Sequence, residues 1–387
     1  MRWFDRSVTK FPLASVDDYR LEAEKRLPHT LFAFLESGAF NGITLKKNQD
    51  DFREIYLKKR ILRNVSTIET SVEILGQKLP FPLLLAPVGF AGCFARQGEI
   101  LAAKASFSTS IPFVLSIASI CPLEEVAKKT PCWFQISPFK DRGYLLEILQ
   151  RAQKAKCPVL LFTADLPVSG IRVNYHRKMQ SSFLSQLMDE IAHLRWWLDV
   201  RLRGRPLHLG NLPQNLPHLT NLASMRAWMQ EQLDPSFTWK DLEWIRDNWP
   251  GKLVVKGILD PQDAKKCEQL AIDGIVVSNH GARHLDGTLS SIAALPKIRD
   301  AVKTNMALLF DGGIRSGLDL VKALALGADA CMIGKPLIYG LASRGEEGVK
   351  EVIALLHKEL KITMAHLGVS ELSEIHRGIL DTKHSNP

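Results

Sequence analysis

At 387 residues, with 46% hydrophobic and 24% charged residues, the chain has an ordinary globular composition and can bury a core without disulfide or metal support. Its six cysteines, Cys93, Cys121, Cys132, Cys157, Cys267 and Cys331, form no CxxC pair and no metal-ligand spacing, which argues against a disulfide framework and against a bound metal. The formal charge is +9 but Lys and Arg are spread along the chain, which speaks against nucleic acid and for an anionic substrate, cofactor or membrane face.

In chain order, the opening MRWFDRSVTKF lacks the apolar core of a signal peptide. No apolar run long enough to cross a membrane follows, so a cytoplasmic protein is expected. The first 60 residues read as helix, with apolar residues at helical spacing over Ser15 to Leu27 and His29 to Glu36; Pro28 opens the second stretch and Ser37-Gly38 closes it.

Eight short apolar runs then alternate with helical stretches: Pro82–Ala86, Pro112–Leu115, Cys132–Gln135, Val159–Phe162, Leu253–Val255, Gly274–Val277, Ala307–Phe310 and Ala330–Ile333. Continuous apolar runs mean strands covered on both faces, and eight βα units predict a (β/α)₈ barrel more than an open doubly wound sheet. The whole of 1–387 reads as one domain with a helical N-terminal segment, 1–75. One gap interrupts the spacing. Residues 174–249 form an insertion after the fourth strand, rich in tryptophan and arginine (HLRWWLDVRLRGRPLHLGNL), with NLPQNLPHL as loop. Such an insertion lies on the active-site face as a lid, a subunit contact, a membrane-surface patch or a packing extension.

Polar residues gather where each run ends: Pro87-Val88-Gly89, Ser116, Gln135, Thr163 with Asp165, Lys256, Ser278-Asn279-His280-Gly281, Asp311-Gly312-Gly313-Ile314-Arg315 and Gly334-Lys335. Barrel enzymes draw their chemistry from these ends. The last two groups suit a phosphate, since glycines admit backbone N–H groups and Arg315 and Lys335 add charge; two ordinary tight turns are the alternative. His280 with Arg283 pairs a base near neutral pH with a bidentate carboxylate grip, as oxidation of a 2-hydroxy acid needs. Asp165 either orients His280 or caps a helix. Lys256 either faces a ligand or is a surface lysine. His284 is read as a bystander, and His193, His208, His218, His357, His366 and His376 as structural.

These motifs, LLLAPVGFAG, FQ, TADLP, VVKGI, VSNHGARHLDG, FDGGIRSGLDLVKALALGAD and IGKP, resemble the FMN-dependent 2-hydroxy acid dehydrogenases and oxidases, bacterial respiratory L-lactate dehydrogenase most of all. The resemblance runs from Tyr19 to Ile379. It implies FMN against Pro87, Val88, Gly89, Ser116, Gln135, Thr163, Lys256 and Ser278. It places the phosphate at Asp311, Gly312, Gly313, Ile314, Arg315, Gly334 and Lys335. His280 would be the base, Asp165 its partner, Lys256 the stabiliser of the reduced ring, and Arg172 and Arg283 the carboxylate clamp. It further implies a quinone or O₂ as acceptor, with Gly89 in place of an oxidase alanine favouring quinone, peripheral contact with the inner membrane face, and a tetramer. Three positions depart from the pattern. Phe34 and Ser137 stand where the family has substrate-binding tyrosines, and Lys335 replaces a phosphate-binding arginine. The missing phenols point to a substrate bulkier than lactate. Alternatives are another CH–OH or CH–NH substrate, an isomerase on the same fold, and a non-catalytic FMN-binding protein.

Overall fold

The computed structural model describes residues 13–180, 183–204, 206–212, 222–302 and 305–381. The N-terminal MRWFDRSVTKF up to Phe11, and the NLPQNLPHL loop from Pro213 with His218, lie outside the described residues.

Three helices come first: α1 (Val16–Arg26), α2 (His29–Glu36) and α3 (Ile43–Arg53). A capping box between Ser15 and Asp18 starts α1, and Pro28 stands at the start of α2. A hairpin follows, β1 (Val72–Ile74) and β2 (Gln77–Leu79), turning through Leu75 and Gly76, both at positive φ. The sequence reading has no counterpart for it.

The eight expected strands are all present: β3 (Leu83–Leu85), β4 (Val114–Ser116), β5 (Trp133–Ile136), β6 (Val159–Thr163), β7 (Lys252–Ile258), β8 (Gly274–Val277), β9 (Ala307–Asp311) and β10 (Ala330–Ile333). They pair in parallel in the order β3-β10-β9-β8-β7-β6-β5-β4. A parallel bridge from Leu85 to Phe113 joins the two ends, with the Leu85 N–H donating to the Pro112 carbonyl at 2.8 Å. The sheet therefore closes into a (β/α)₈ barrel rather than staying open.

Strand alternation sorts the side chains into two cores. Leu84, Trp133, Leu161, Val254, Val276 and Met332 fill the barrel interior, while their neighbours face the surrounding helices. Ile74 and Leu79 of the hairpin join the interior cluster, and Gln77 accepts from the Trp133 indole at 3.2 Å. The hairpin thus stoppers the end of the barrel away from the polar strand tips. Between β6 and β7 lies the expected insertion, built of helices that include Phe183–Ala192, Leu222–Gln232 and Trp239–Asn248.

Candidate active site

The polar strand ends converge on one cleft at the C-terminal mouth of the barrel. At β4–β6, a hydrogen-bond chain crosses three strands. Ser116 Oγ donates to Gln135 Oε1 at 3.0 Å, and Gln135 Nε2 donates to Thr163 Oγ1 at 3.0 Å and Ser137 Oγ at 3.1 Å. The chain fixes the Gln135 amide, so its orientation is set before any ligand arrives.

At β7–β9 the organiser is Lys256. It is only 4% exposed, which excludes the surface-lysine alternative. Its Nζ donates to Ser278 Oγ at 2.7 Å and stands 3.0 Å from Asp311 Oδ2. Asp311 Oδ1 is buried with no partner, a cost of about 1–3 kcal/mol unless a ligand donor meets it.

His280 holds a left-handed φ of 57°, a conformation that a non-glycine residue keeps only when its surroundings fix it. Its backbone N–H donates to Ser278 Oγ at 3.0 Å, and its Nδ1 lies 2.9 Å from Asp165 Oδ1. The Asp165 carboxylate thus lies where it can orient the imidazole, rather than at the start of a helix. A Cβ at Gly257 would come within 2.5 Å of the Asp165 side chain; the glycine, at φ 107°, and the register break in β7 let that carboxylate approach. Burial resists ionisation of Asp165, yet His280 and Lys256 hold it below the usual carboxylate range. A carboxylate on Nδ1 keeps the proton there and leaves Nε2 free as a base. His284 is no remote bystander. Its ring meets His280 edge-on at 4.2 Å, and burial, with His280 next in importance, pushes it well below the normal imidazole range. It is a neutral wall.

The two expected clamp residues lie together. Arg172 is buried, and its Nε and Nη1 have no partner. Arg283 spends Nη1 and Nη2 on the Leu35 and Phe34 carbonyls, at 2.9 and 3.0 Å, at the C-terminal end of α2 where cations are favoured. Phe34 lies beneath both guanidinium groups, and Ser137 lines the same cleft.

Of the residues singled out from sequence, Asp165 and Ser278 sit just behind the cleft and hold His280 and Lys256 in place. The others line it: Pro87, Val88, Gly89, Ser116, Gln135 and Thr163 along one side, with Asp311 to Arg315, Gly334 and Lys335 at the far end. Sequence reasoning missed three features. One is Arg226, which reaches in from the insertion helix Leu222–Gln232. Another is the apolar lining of Met229 and Leu233 that comes with it. The third is the reciprocal amide pair Asn48–Asn279, at 2.9 and 2.7 Å, which ties α3 to the end of β8. Among the described residues one group could hold a metal by proximity, His29, Asp189 and His193. It lies outside the cleft, and its carboxylate already accepts from the His29 and Thr30 N–H groups that open α2.

The far end of the cleft suits a phosphate. Gly312 and Gly313 sit at φ 102° and 105°, open to glycine and closed to most residues. Lys335 opens the helix Lys335–Leu367, and its N-cap Gly334 offers no side-chain cap, so the positive helix end is unanswered. By contrast the preceding helix N-terminus, at Gly317, is closed by a capping box of Ser316 and Asp319. Burial, with Arg315 and Arg283 close by, pushes Lys335 down to about 7 against the pull of Glu36. Lys335 Nζ stands 3.7 Å from Glu36 Oε1, and with Arg315 and Arg283 close by that one carboxylate leaves the half-buried cluster net positive, which suits an anion. The unpartnered Asp311 oxygen, the fixed Gln135 amide and this cationic end together fit a flavin mononucleotide.

The model of the FMN-dependent dehydrogenase family matches residues 23–382. The chain belongs to that family. FMN is its cofactor, and it is a 2-hydroxy acid dehydrogenase or oxidase. It is 46% identical over 368 residues to the L-lactate dehydrogenase of Alcaligenes faecalis, covering 94% of this chain and 97% of that one. The crystal structure of the monotopic membrane protein (S)-mandelate dehydrogenase superposes with a TM-score of 0.90 at 35% identity, covering 95% of this chain and 99% of that one. A mandelate oxidase structure gives 0.81 at 30% identity, covering 95% and 98%.

The state of Lys335 leads to an expected result. Above pH 7 the FMN-free enzyme must take up a proton on Lys335 to present a cation to the phosphate. The FMN dissociation constant should therefore weaken from pH 7 to pH 9, by up to about ten-fold per unit. Lys335→Arg, charged throughout, should flatten the curve. Fluorescence titration of FMN into stripped enzyme reads this directly, and a flat wild-type curve would remove Lys335 from the phosphate site.

Proposed function

We propose that the enzyme oxidises a 2-hydroxy acid larger than lactate to the 2-oxo acid and delivers the electrons to a membrane quinone. The observation that carries this is the meeting of an oriented imidazole, His280, with the unsatisfied guanidinium of Arg172 and with Arg283 at one mouth of the barrel.

Bound FMN supplies the two-electron acceptor; the protein supplies the rest. Arg172 and Arg283 hold the substrate carboxylate, Arg172 through its free donors. His280 Nε2 takes one proton of the CH–OH unit, and Asp165 stabilises the resulting imidazolium through Nδ1. Lys256, braced by Ser278 and Asp311, places a fixed positive charge on the cofactor side, where it offsets charge gained on reduction. The amide and hydroxyls of Gln135, Ser116 and Thr163 offer hydrogen bonds along the same side.

Substrate size follows from what is absent. At Ser137 and Phe34 no phenol reaches over the substrate. Ser137 is tied to Gln135, and Phe34, Phe90, Leu166 and Met229 make the cleft wall apolar. A larger side chain gains burial there, at about 25 cal/mol per Å² of apolar surface. Mandelate, the substrate in the names of similar structures, has such a side chain.

The acceptor reading rests on the insertion. The helix Phe183–Ala192 exposes Leu187, Met188 and Ile191, and Leu194 and Leu202 are exposed in the segment that follows, with Arg195 and Arg203 next to them in sequence. An exposed apolar patch flanked by arginine fits the surface of an anionic bilayer. Among the described residues no helix is long and apolar enough to cross a membrane. Gly89 adds a weaker argument, since many oxidases of the resembled family carry alanine there.

The deciding experiment mixes the enzyme anaerobically with a panel of L-2-hydroxy acids of graded size and follows flavin absorbance. Larger acids should bleach the flavin with higher kcat/KM than lactate. A preference for lactate would overturn the size argument, and peroxide formed at turnover rates in air would overturn the quinone.

A further inference from the structure

Three guanidinium groups, not two, close on the Phe34 ring. The Cζ atoms of Arg172, Arg283 and Arg226 stand 5.0, 5.1 and 5.2 Å from its centroid, so no two can be farther apart than twice that reach. Arg172 and Arg283 come from strand-end loops. Arg226 comes from the insertion helix Leu222–Gln232, and its Cζ also lies 4.5 Å over the ring of Tyr175.

Such crowding needs an explanation. Among the described residues none of the three arginines makes a salt bridge to a carboxylate. The aromatic faces of Phe34 and Tyr175 attract cations, but a ring carries no net charge. Burial and mutual repulsion depress Arg172, with Arg283 and Arg226 both contributing, and burial with Arg226 depresses Arg283 against the partial pull of Glu36. A lone substrate carboxylate neutralises one positive charge. Arg172 and Arg283 suffice to hold it, and one guanidinium is left over in a partly desolvated cleft.

Resting on the functional reading above, we propose that Arg226 binds a second anionic group on the substrate, which is a 2-hydroxy acid bearing a carboxylate at the far end of its side chain. Met229, one turn along from Arg226, lines the cleft with Leu233 and Leu166, so the cleft that holds the three cations also has an apolar lining that suits a methylene spacer. The departures at Phe34 and Ser137 then make sense together. A phenylalanine at position 34 gives all three cations a face to rest against, and a serine at 137 leaves length for the longer acid. The insertion contributes a substrate contact as well as a surface.

The test uses chain-matched acids on the FMN-loaded enzyme. L-2-hydroxypentanedioate is compared with L-2-hydroxypentanoate, and L-2-hydroxybutanedioate with L-2-hydroxybutanoate, in anaerobic flavin reduction. The wild type should favour the diacid of each pair by about ten-fold or more in kcat/KM, as a charge-assisted contact implies. Arg226→Gln should collapse that ratio, and Arg226→Lys should keep part of it. A wild type that favours the monoacids, or an Arg226→Gln enzyme whose diacid-to-monoacid ratio is unchanged, would overturn the proposal. Binding of the unreactive pentanedioate and pentanoate, read by perturbation of the flavin spectrum, separates the two levels. If no hydroxy acid reduces the flavin, the functional reading falls. Tighter binding of pentanedioate, lost in Arg226→Gln, would still uphold the second-anion site, and equal binding would end it.

Discussion

Exchanging His280 for Gln is expected to leave the purified enzyme yellow and to slow its anaerobic reduction by a 2-hydroxy acid by about 10²- to 10⁴-fold, the span of a lost general base. A glutamine amide can still reach Asp165, but it has no nitrogen that takes a proton. Flavin retention should hold because the contacts proposed for FMN lie elsewhere, on the Ser116–Gln135–Thr163 chain, Lys256 and the Arg315–Lys335 end. The substitution also isolates Asp165. Its depressed pKa means that the ionised carboxylate stabilises the fold above its unfolded pKa, a gain lost as pH falls through the folded value. Without the imidazole that gain shrinks, with Lys256 left to support the carboxylate against burial. The variant should therefore unfold more readily at neutral pH than the wild type, with less difference in acid. Stopped-flow absorbance and thermal melts at two pH values check both parts. A yellow variant that is reduced at the wild-type rate would remove His280 from proton transfer.

The barrel was legible because each strand is covered on both faces, so its run of Leu, Val, Ile and Phe carries no polar interruption. The tips were legible for the complementary reason, since Lys256 and Asp311 follow such runs directly and His280 comes within three residues of one, where none has a packing reason to be. The hairpin at 72–79 left no such trace. Its strands, VEI and QKL, are three residues each, too short for alternation to register, and only Ile74 and Leu79 are buried. Arg226 was hidden differently. It sits inside a helix, far from any strand end, among Trp228 and Met229, where a basic-aromatic reading absorbs it. Only the folding of the insertion back over the barrel mouth brings it to Phe34. Asn48 and Asn279 are separated by most of the barrel in sequence, and neither amide is unusual until they face each other. Strand ends declare themselves locally, whereas contacts made by the N-terminal helices and the insertion depend on tertiary closure.

That closure sets up the second large effect, in which stability and activity part company. Replacing Arg172 by Met should raise the melting temperature of the substrate-free enzyme and cut kcat/KM for a 2-hydroxy acid by about 10²- to 10⁴-fold. Arg172 is buried, two of its nitrogens lack partners, and Arg283 and Arg226 repel it. An apolar side chain of similar length removes that repulsion and keeps the packing on Phe34; exchanging buried charge for apolar volume is often stabilising by about 1–4 kcal/mol. In the substrate complex the sign reverses. The carboxylate that met Arg172 now enters a desolvated site with one partner gone, a loss of about 3–5 kcal/mol, read in kcat/KM as transition-state stabilisation removed. On the proposed reading, the protein keeps an uncompensated charge in its resting state because the substrate would compensate it, as active sites do when they are preorganised for a ligand rather than for themselves. Calorimetry and steady-state kinetics on one preparation decide the matter. A variant that melts earlier and turns over normally would show that Arg172 is a packing residue and that the carboxylate binds elsewhere.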